Sequence, residues 1–130
     1  MESIFHDVKR YESLLNNKNL KEGFKMNQFE NVSIIKKANV YFEGQVTSRT
    51  VLLTGGERKT LGIMMPGKYE FETVDKEHME LLAGKLEVLL PNCEEWITID
   101  AGRTFEIPAH SKFKIVAQEL SDYCCSYIKE

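Results

Sequence analysis

Long apolar runs are what this 130-residue chain most clearly lacks. None approaches the roughly 20 residues that a membrane-spanning helix needs, so no membrane partner is expected. The opening residues, Met1-Glu2-Ser3-Ile4-Phe5-His6-Asp7, have neither the basic start nor the apolar stretch of a secretory signal. A cytoplasmic protein is expected. Charge of one sign is also missing: 17 basic and 20 acidic residues are interspersed and leave a net charge of −3. A nucleic-acid partner calls for a clustered basic face, and none is present. Cysteine is sparse. Cys93, Cys124 and Cys125 are odd in number and have no framework spacing, which argues against disulfides. Cys124 and Cys125 adjoin in an expected strand, so they point to opposite faces and cannot hold one metal from one side. The three histidines, His6, His78 and His110, are too dispersed for a mononuclear metal centre.

What is present is a short helical pattern followed by many short strands. Ile4, Phe5, Val8, Tyr11, Leu14 and Leu15 recur at helix spacing and predict an amphipathic helix over residues 2–17. Ser3 is placed to cap its start and Asn16-Asn17 to end it. Asn19 to Asn27 reads as a connector. From Phe29 onward, apolar runs alternate with turn residues at the spacing of an all-β sandwich or barrel. Strands are expected near Val32–Lys36, Val40–Ser48, Arg49–Thr54, Lys59–Met65, Gly67–Thr73, His78–Ala83, Lys85–Leu90, Trp96–Asp100, Arg103–Ile107, Phe113–Ala117 and Asp122–Lys129. Breaks fall at Gly55-Gly56, Pro66-Gly67, Ala83-Gly84, Pro91-Asn92, Ala101-Gly102 and Pro108, where reversal needs special backbone freedom or a fixed φ. Phe105 and Ile107 oppose Thr104 and Glu106, the alternation of a sheet with one buried face. The organisation expected is a helical extension over residues 1–27 and an all-β domain over residues 28–130.

Two segments resemble the paired motifs of the cupin barrel. Glu77 and Gly84 match the glutamate and glycine of the first motif, and Gly102 and Pro108 match the second. The histidine positions of the first motif fall on Phe71 and Thr73 counting back from Glu77, or on Thr73 and Asp75 counting forward from Gly67. In the second motif His110 stands at a glycine position and Phe113 at the ligand position. The resemblance therefore implies a single cupin jelly-roll β-barrel without its metal ligands. A more specific resemblance covers about residues 34–128. It is carried by Tyr41-Phe42-Glu43-Gly44, Val46 with Ser48, Arg58, Gly62-Ile63-Met64, Gly67-Lys68-Tyr69 and Phe71-Glu72-Thr73. It continues through Glu77-His78-Met79, Gly84, Leu90-Pro91, Trp96, Gly102, Phe105, Pro108-Ala109-His110-Ser111, Phe113, Tyr123, Cys125 and Tyr127. In these elements the chain resembles the short cupins that are broad-specificity pyrimidine/purine nucleoside phosphorylases. That resemblance implies a nucleoside and inorganic phosphate as substrates, a free base and a pentose 1-phosphate as products, and no cofactor.

Such a reaction builds positive charge on the sugar as the base leaves, so it calls for an anion site, a carboxylate and a wall for the base. Arg58 suits phosphate because a guanidinium matches its oxygens in a bidentate way; the other reading is a solvated residue in the Gly55–Lys59 loop. Lys59 and Lys68 are reserves. Glu77, at the cupin carboxylate position, either faces the sugar as a catalytic group or lies on the surface beside Asp75. A histidine side chain can give or take a proton, so His110 suits proton transfer to the leaving base, or else satisfies backbone groups in its loop. Thr73 and Ser111 offer hydroxyls, Tyr69 a ring or a hydroxyl, and Phe71, Met79 and Phe113 an apolar wall, each with core packing as the alternative. His78 is expected outward. Tyr123, Cys125 and Tyr127 share one face of the last strand and read as core or subunit interface.

An amphipathic helix of this length is marginal alone in water, so its stripe needs a barrel face or a second subunit, and a homodimer is the default assembly. The competing functional class is a non-catalytic, metal-free barrel that binds or senses a small polar metabolite, since fold does not fix function.

Overall fold

The computed structural model describes residues 27–129. The helix expected over residues 2–17 lies outside the described residues. Two units divide the chain after Asn31, and the fold below is that of the second.

The described residues form an all-β structure. Its strands are β1 (Ser33–Ile34), β2 (Asn39–Tyr41), β3 (Val46–Leu52), β4 (Arg58–Met64), β5 (Gly67–Glu72), β6 (Lys76–Ala83), β7 (Lys85–Leu89), β8 (Ile97–Asp100), β9 (Thr104–Ile107), β10 (Lys112–Ala117) and β11 (Ser121–Ile128). The larger sheet runs β1-β3-β4-β11-β6-β9, with β2 also paired to β3, and the smaller runs β5-β10-β7-β8. Every ladder is antiparallel. The expected closed barrel is replaced by two separate sheets among the described residues. The reason lies in the connections. After β4 the chain crosses to the opposite sheet at nearly every turn, so β4 and β5, β5 and β6, β6 and β7, β8 and β9, β9 and β10, and β10 and β11 are never ladder partners. Pro66 and Pro108, which have no N–H to extend a ladder, sit at two of these crossings.

The expected boundaries on either side of Ser48 move. The pattern predicts strands through Val40–Ser48 and Arg49–Thr54, whereas β2 stops at Tyr41 and a single β3 runs unbroken from Val46 to Leu52. Phe42, Glu43 and Gly44 have φ of 51°, 56° and 94°. Three successive left-handed residues reverse the chain, so β2 folds back onto β3.

Alternation puts one face of each sheet inside. Val46, Met64 and Leu81 of the larger sheet meet Leu86, Val88 and Ile115 of the smaller, all at most 2% exposed. Two glycines permit this packing. Gly84 has φ of +99° at the crossing from β6 to β7, and a Cβ there would strike Ser121 and the Leu120 carbonyl. Gly62 leaves room for a neighbour: a Cβ would collide with the Thr47 carbonyl and with the Tyr123 ring, whose Cζ lies 2.7 Å from that position.

Gly62→Ala is expected to cost roughly 1–3 kcal/mol, the usual penalty of overpacking a filled interior. Its thermal unfolding midpoint should fall clearly below that of the wild type. An unchanged midpoint would mean that Tyr123 does not rest on Gly62.

Candidate functional site

The inward face of the larger sheet is unusual in its polarity. Register aligns Ser48, Gly62, Tyr123 and Leu81 in one row across β3, β4, β11 and β6. The next row is Thr50, Thr60, Cys125, Met79 and Phe105. A third carries Tyr127, Glu77 and Ile107. Apart from Glu77 of β6, the β6–β9 side of these rows is apolar, as a sandwich core should be. The β3–β4–β11 side is made of hydroxyls, a glycine and a thiol. Ser48, Thr50 and Thr60 are buried, and their polar atoms are satisfied locally. The Asn39 amide donates to the Ser48 and Thr50 hydroxyls, at 3.2 Å each. The Thr60 and Tyr127 hydroxyls lie 3.3 Å apart.

Facing this polar patch, the smaller sheet presents aromatic rings. Phe71 of β5 and Phe113 of β10 stack with centroids 5.6 Å apart and planes at 28°. Phe42, held in its left-handed conformation, packs on Tyr69 at 5.0 Å and edge-on to Phe71 at 5.5 Å. Between patch and wall lies a cavity of about 550 Å³, counting the solvent at its open mouth. Glu77, Met79, Tyr123, Cys125, Tyr127, Thr60, Met64 and Ser48 of the larger sheet line one side; Phe71, Phe113, Ile115 and Glu72 of the smaller sheet line the other, with Tyr41 also contributing. The shape suits a ligand with a flat apolar part and a hydroxyl-rich part.

Glu77 is the only carboxylate on the inner face of β6, and it is half-buried. Loss of solvation raises its pKa above the usual 4.5; the Cys125 thiol and the Arg58 charge pull it back down, and Asp75 pushes it up. The thiol donates to Glu77 Oε1 at 3.5 Å. Burial also raises the Cys125, Tyr123 and Tyr127 groups, in that they resist ionising away from water and next to Glu77. All three stay protonated near neutral pH; the Cys125 thiol proton goes to Glu77, and the Tyr123 hydroxyl donates to the Thr47 carbonyl at 3.4 Å. Cys124, on the opposite face of β11, is pushed up to about 11, first by burial.

The residues expected at a site divide into three groups. Phe71, Glu77, Met79 and Phe113 line the cavity. Arg58 stands beside it, its guanidinium carbon 3.8 Å above the centroid of the Tyr127 ring. The remaining four lie outside the lining. Tyr69 donates to the Met65 carbonyl at 2.6 Å. The Thr73 hydroxyl donates to the Pro108 carbonyl at 2.7 Å and accepts from the Ser111 amide at 3.0 Å. Ser111 donates to the Ala109 carbonyl at 3.0 Å. Thr73 and Ser111 thus tie down the β9–β10 connection. His110 is exposed on that connection with φ of 53°. His78 points outward, 3.5 Å from Glu106. Among the described residues no three His, Cys, Asp or Glu side chains are grouped to hold a metal ion, and no helix is long and apolar enough to cross a membrane.

Tyr123 and Cys125 are part of the buried core, as read from sequence, with Tyr127 packed against it; all three also line the cavity, joined by Ser48, Thr60 and Tyr41. The sequence does carry a sign of them. Ser48, Thr50 and Thr60 are hydroxyl residues at positions that should face inward, on two consecutive strands.

Comparison with known proteins places this geometry in context. The family model for pyrimidine/purine nucleoside phosphorylase matches residues 36–127. The pyrimidine/purine nucleoside phosphorylase of Syntrophotalea carbinolica is 56% identical over 104 residues, covering 80% of this chain and 100% of the relative. That of Leptospira interrogans is 58% identical, again over 104 residues, with 80% and 98% covered. The crystal structure of a protein of unknown function from Acinetobacter sp. ADP1 superposes with a TM-score of 0.75 at 40% identity, covering 78% of this chain and 98% of that one.

The Glu77 environment carries a pH signature. A folded-state pKa above the unfolded value means that protonated Glu77 favours folding; the contribution is complete below the unfolded pKa and is lost as pH rises through the folded one. Glu77→Gln keeps an acceptor for the Cys125 thiol and removes the charge. Its stability relative to wild type is expected to improve as pH rises from about 4.5 towards 8, read from thermal midpoints across that range. A relative stability that falls with pH would mean that Glu77 is a stabilising, solvated or paired carboxylate.

Proposed function

The chain belongs to the pyrimidine/purine nucleoside phosphorylase family, and on that premise we propose that it splits purine and pyrimidine ribonucleosides with phosphate. The C1′–N bond breaks and its electron pair leaves with the base. An oxygen of hydrogen phosphate bonds to C1′, giving ribose 1-phosphate, and the proton that the phosphate gives up ends on the departing base. The two-sheet fold is taken as a metal-free cupin jelly roll, working in the cytoplasm as a homodimer.

The observation that carries the assignment of the site is the two-sided cavity. A nucleoside has a flat base and a hydroxyl-rich sugar, and the cavity has a flat aromatic wall and a polar floor. Phe71 and Phe113 receive the base on its face, which every nucleobase has, so stacking tolerates purines and pyrimidines alike. Ser48, Thr60 and Tyr123 face the sugar. Glu77 stabilises the positive charge that develops on the sugar at the transition state. A half-buried carboxylate has more effect on that charge than a solvated one, because screening is weaker. Arg58 holds the phosphate at the mouth, within electrostatic reach of Glu77. Held together, the nucleophile and sugar need no covalent intermediate; positioning supplies much of the rate. His110, Tyr69, Thr73 and Ser111 have no contact with substrate in this account. Family membership favours turnover over the alternative of a barrel that only binds.

Purified protein incubated with uridine, adenosine, guanosine or cytidine is expected to release base and ribose 1-phosphate only when phosphate is present, resolved by chromatography. Glu77→Gln should lower kcat by roughly 10²–10³-fold, the scale for loss of one preorganised electrostatic group. Nucleosides left intact by folded protein on the whole panel would overturn the function. Undiminished turnover by Glu77→Gln would overturn only the site.

A further inference from the structure

Arg58 is held in an unusual way. Its guanidinium carbon lies 3.8 Å over the centroid of the Tyr127 ring. The charge influences Glu77, yet among the described residues no ion pair is formed between them. A direct pair would neutralise both groups and occupy the donors of the guanidinium. Stacking has the opposite effect. It uses the face of the planar group, leaving the five N–H donors at its edge free for an oxyanion. The ring itself is fixed. Tyr127 pairs across the ladder with Glu77, its hydroxyl lies 3.3 Å from the Thr60 hydroxyl, and Thr60 is 3% exposed. Tyr127 also lines the cavity, so the guanidinium above it stands at the cavity rim.

We propose that Tyr127 is a positioning residue for phosphate: its ring holds the Arg58 guanidinium beside the carboxylate while keeping the guanidinium edge open to the incoming anion. This rests on the reading of Arg58 as the phosphate ligand. Burial keeps the phenol protonated, so the ring carries no charge of its own to collapse the arrangement.

The test is steady-state kinetics with phosphate varied at saturating uridine, and uridine varied at saturating phosphate. Tyr127→Leu removes the ring face and is expected to raise the KM for phosphate roughly three- to thirtyfold, the range a cation–π contact supports, with a much smaller change in the KM for uridine. Tyr127→Phe keeps the ring and loses only the hydroxyl, and should restore the phosphate KM to within about twofold of wild type, as expected for a contact made by the ring face. Should the Leu variant not fold, Tyr127→Met fills the space without a ring and carries the same expectation. Arg58→Ala separates the two ideas. If it raises the phosphate KM while Tyr127→Leu or Tyr127→Met does not, the positioning role is wrong. If Arg58→Ala leaves the phosphate KM unchanged, the parent reading of Arg58 is wrong. If the Phe variant is as impaired as the Leu variant, the hydroxyl and not the ring is responsible, and the proposal falls.

Discussion

A carboxylate set between two β-sheets governs the rest of this structure. Glu77 lies on the inner face of a central strand, where an apolar side chain is the rule, and its charged form has lost solvation. The surroundings offset that cost weakly. The thiol of Cys125 donates one long hydrogen bond, and Arg58 acts from above the Tyr127 ring without an ion pair. A carboxylate that was fully compensated would have little left to offer a cationic transition state. The weak compensation therefore agrees with a catalytic role, since a preorganised charge is most effective where water and counter-charges are excluded.

The cavity follows from the same sheet. A polar strip on β3, β4 and β11 cannot pack against the apolar face of the smaller sheet without burying unpaired groups, and a gap between the two surfaces removes the conflict. The aromatic wall then stands opposite the strip. Part of that wall depends on backbone strain. Phe42 holds φ at 51°, an uncommon conformation for a bulky side chain, and its ring is anchored against Tyr69 and Phe71. Strain of this kind tends to gather at functional sites, and Tyr41, the preceding residue, lines the cavity.

Most of the sheet was legible in the sequence, because alternation and turn residues specify strands directly. β4, β5, β7, β9 and β10 begin and end within a residue of their expected positions. The break at Phe42 was not, since nothing in the letters Tyr-Phe-Glu-Gly states that three residues will turn left-handed. The site was legible in halves. Glu77, Phe71 and Phe113 followed from a family motif. Tyr123, Cys125 and Tyr127 read as core and are core; that they also line a cavity is not legible, because periodicity reports which residues face inward and is silent on whether space remains there. His110 suits a site by its chemistry alone, and its turn keeps it exposed. Thr73 and Ser111 read as hydroxyls available to a ligand, whereas the fold spends them on the β9–β10 connection.

The central claim is that the cavity between the sheets is where the nucleoside and phosphate meet. A crystal structure of the protein with ribose 1-phosphate and a free base tests it most directly. The account predicts the sugar against Glu77, the phosphate on the edge of the Arg58 guanidinium, and the base on the Phe71–Phe113 wall. Clear density for these ligands elsewhere on the molecule, with the cavity empty, would contradict it.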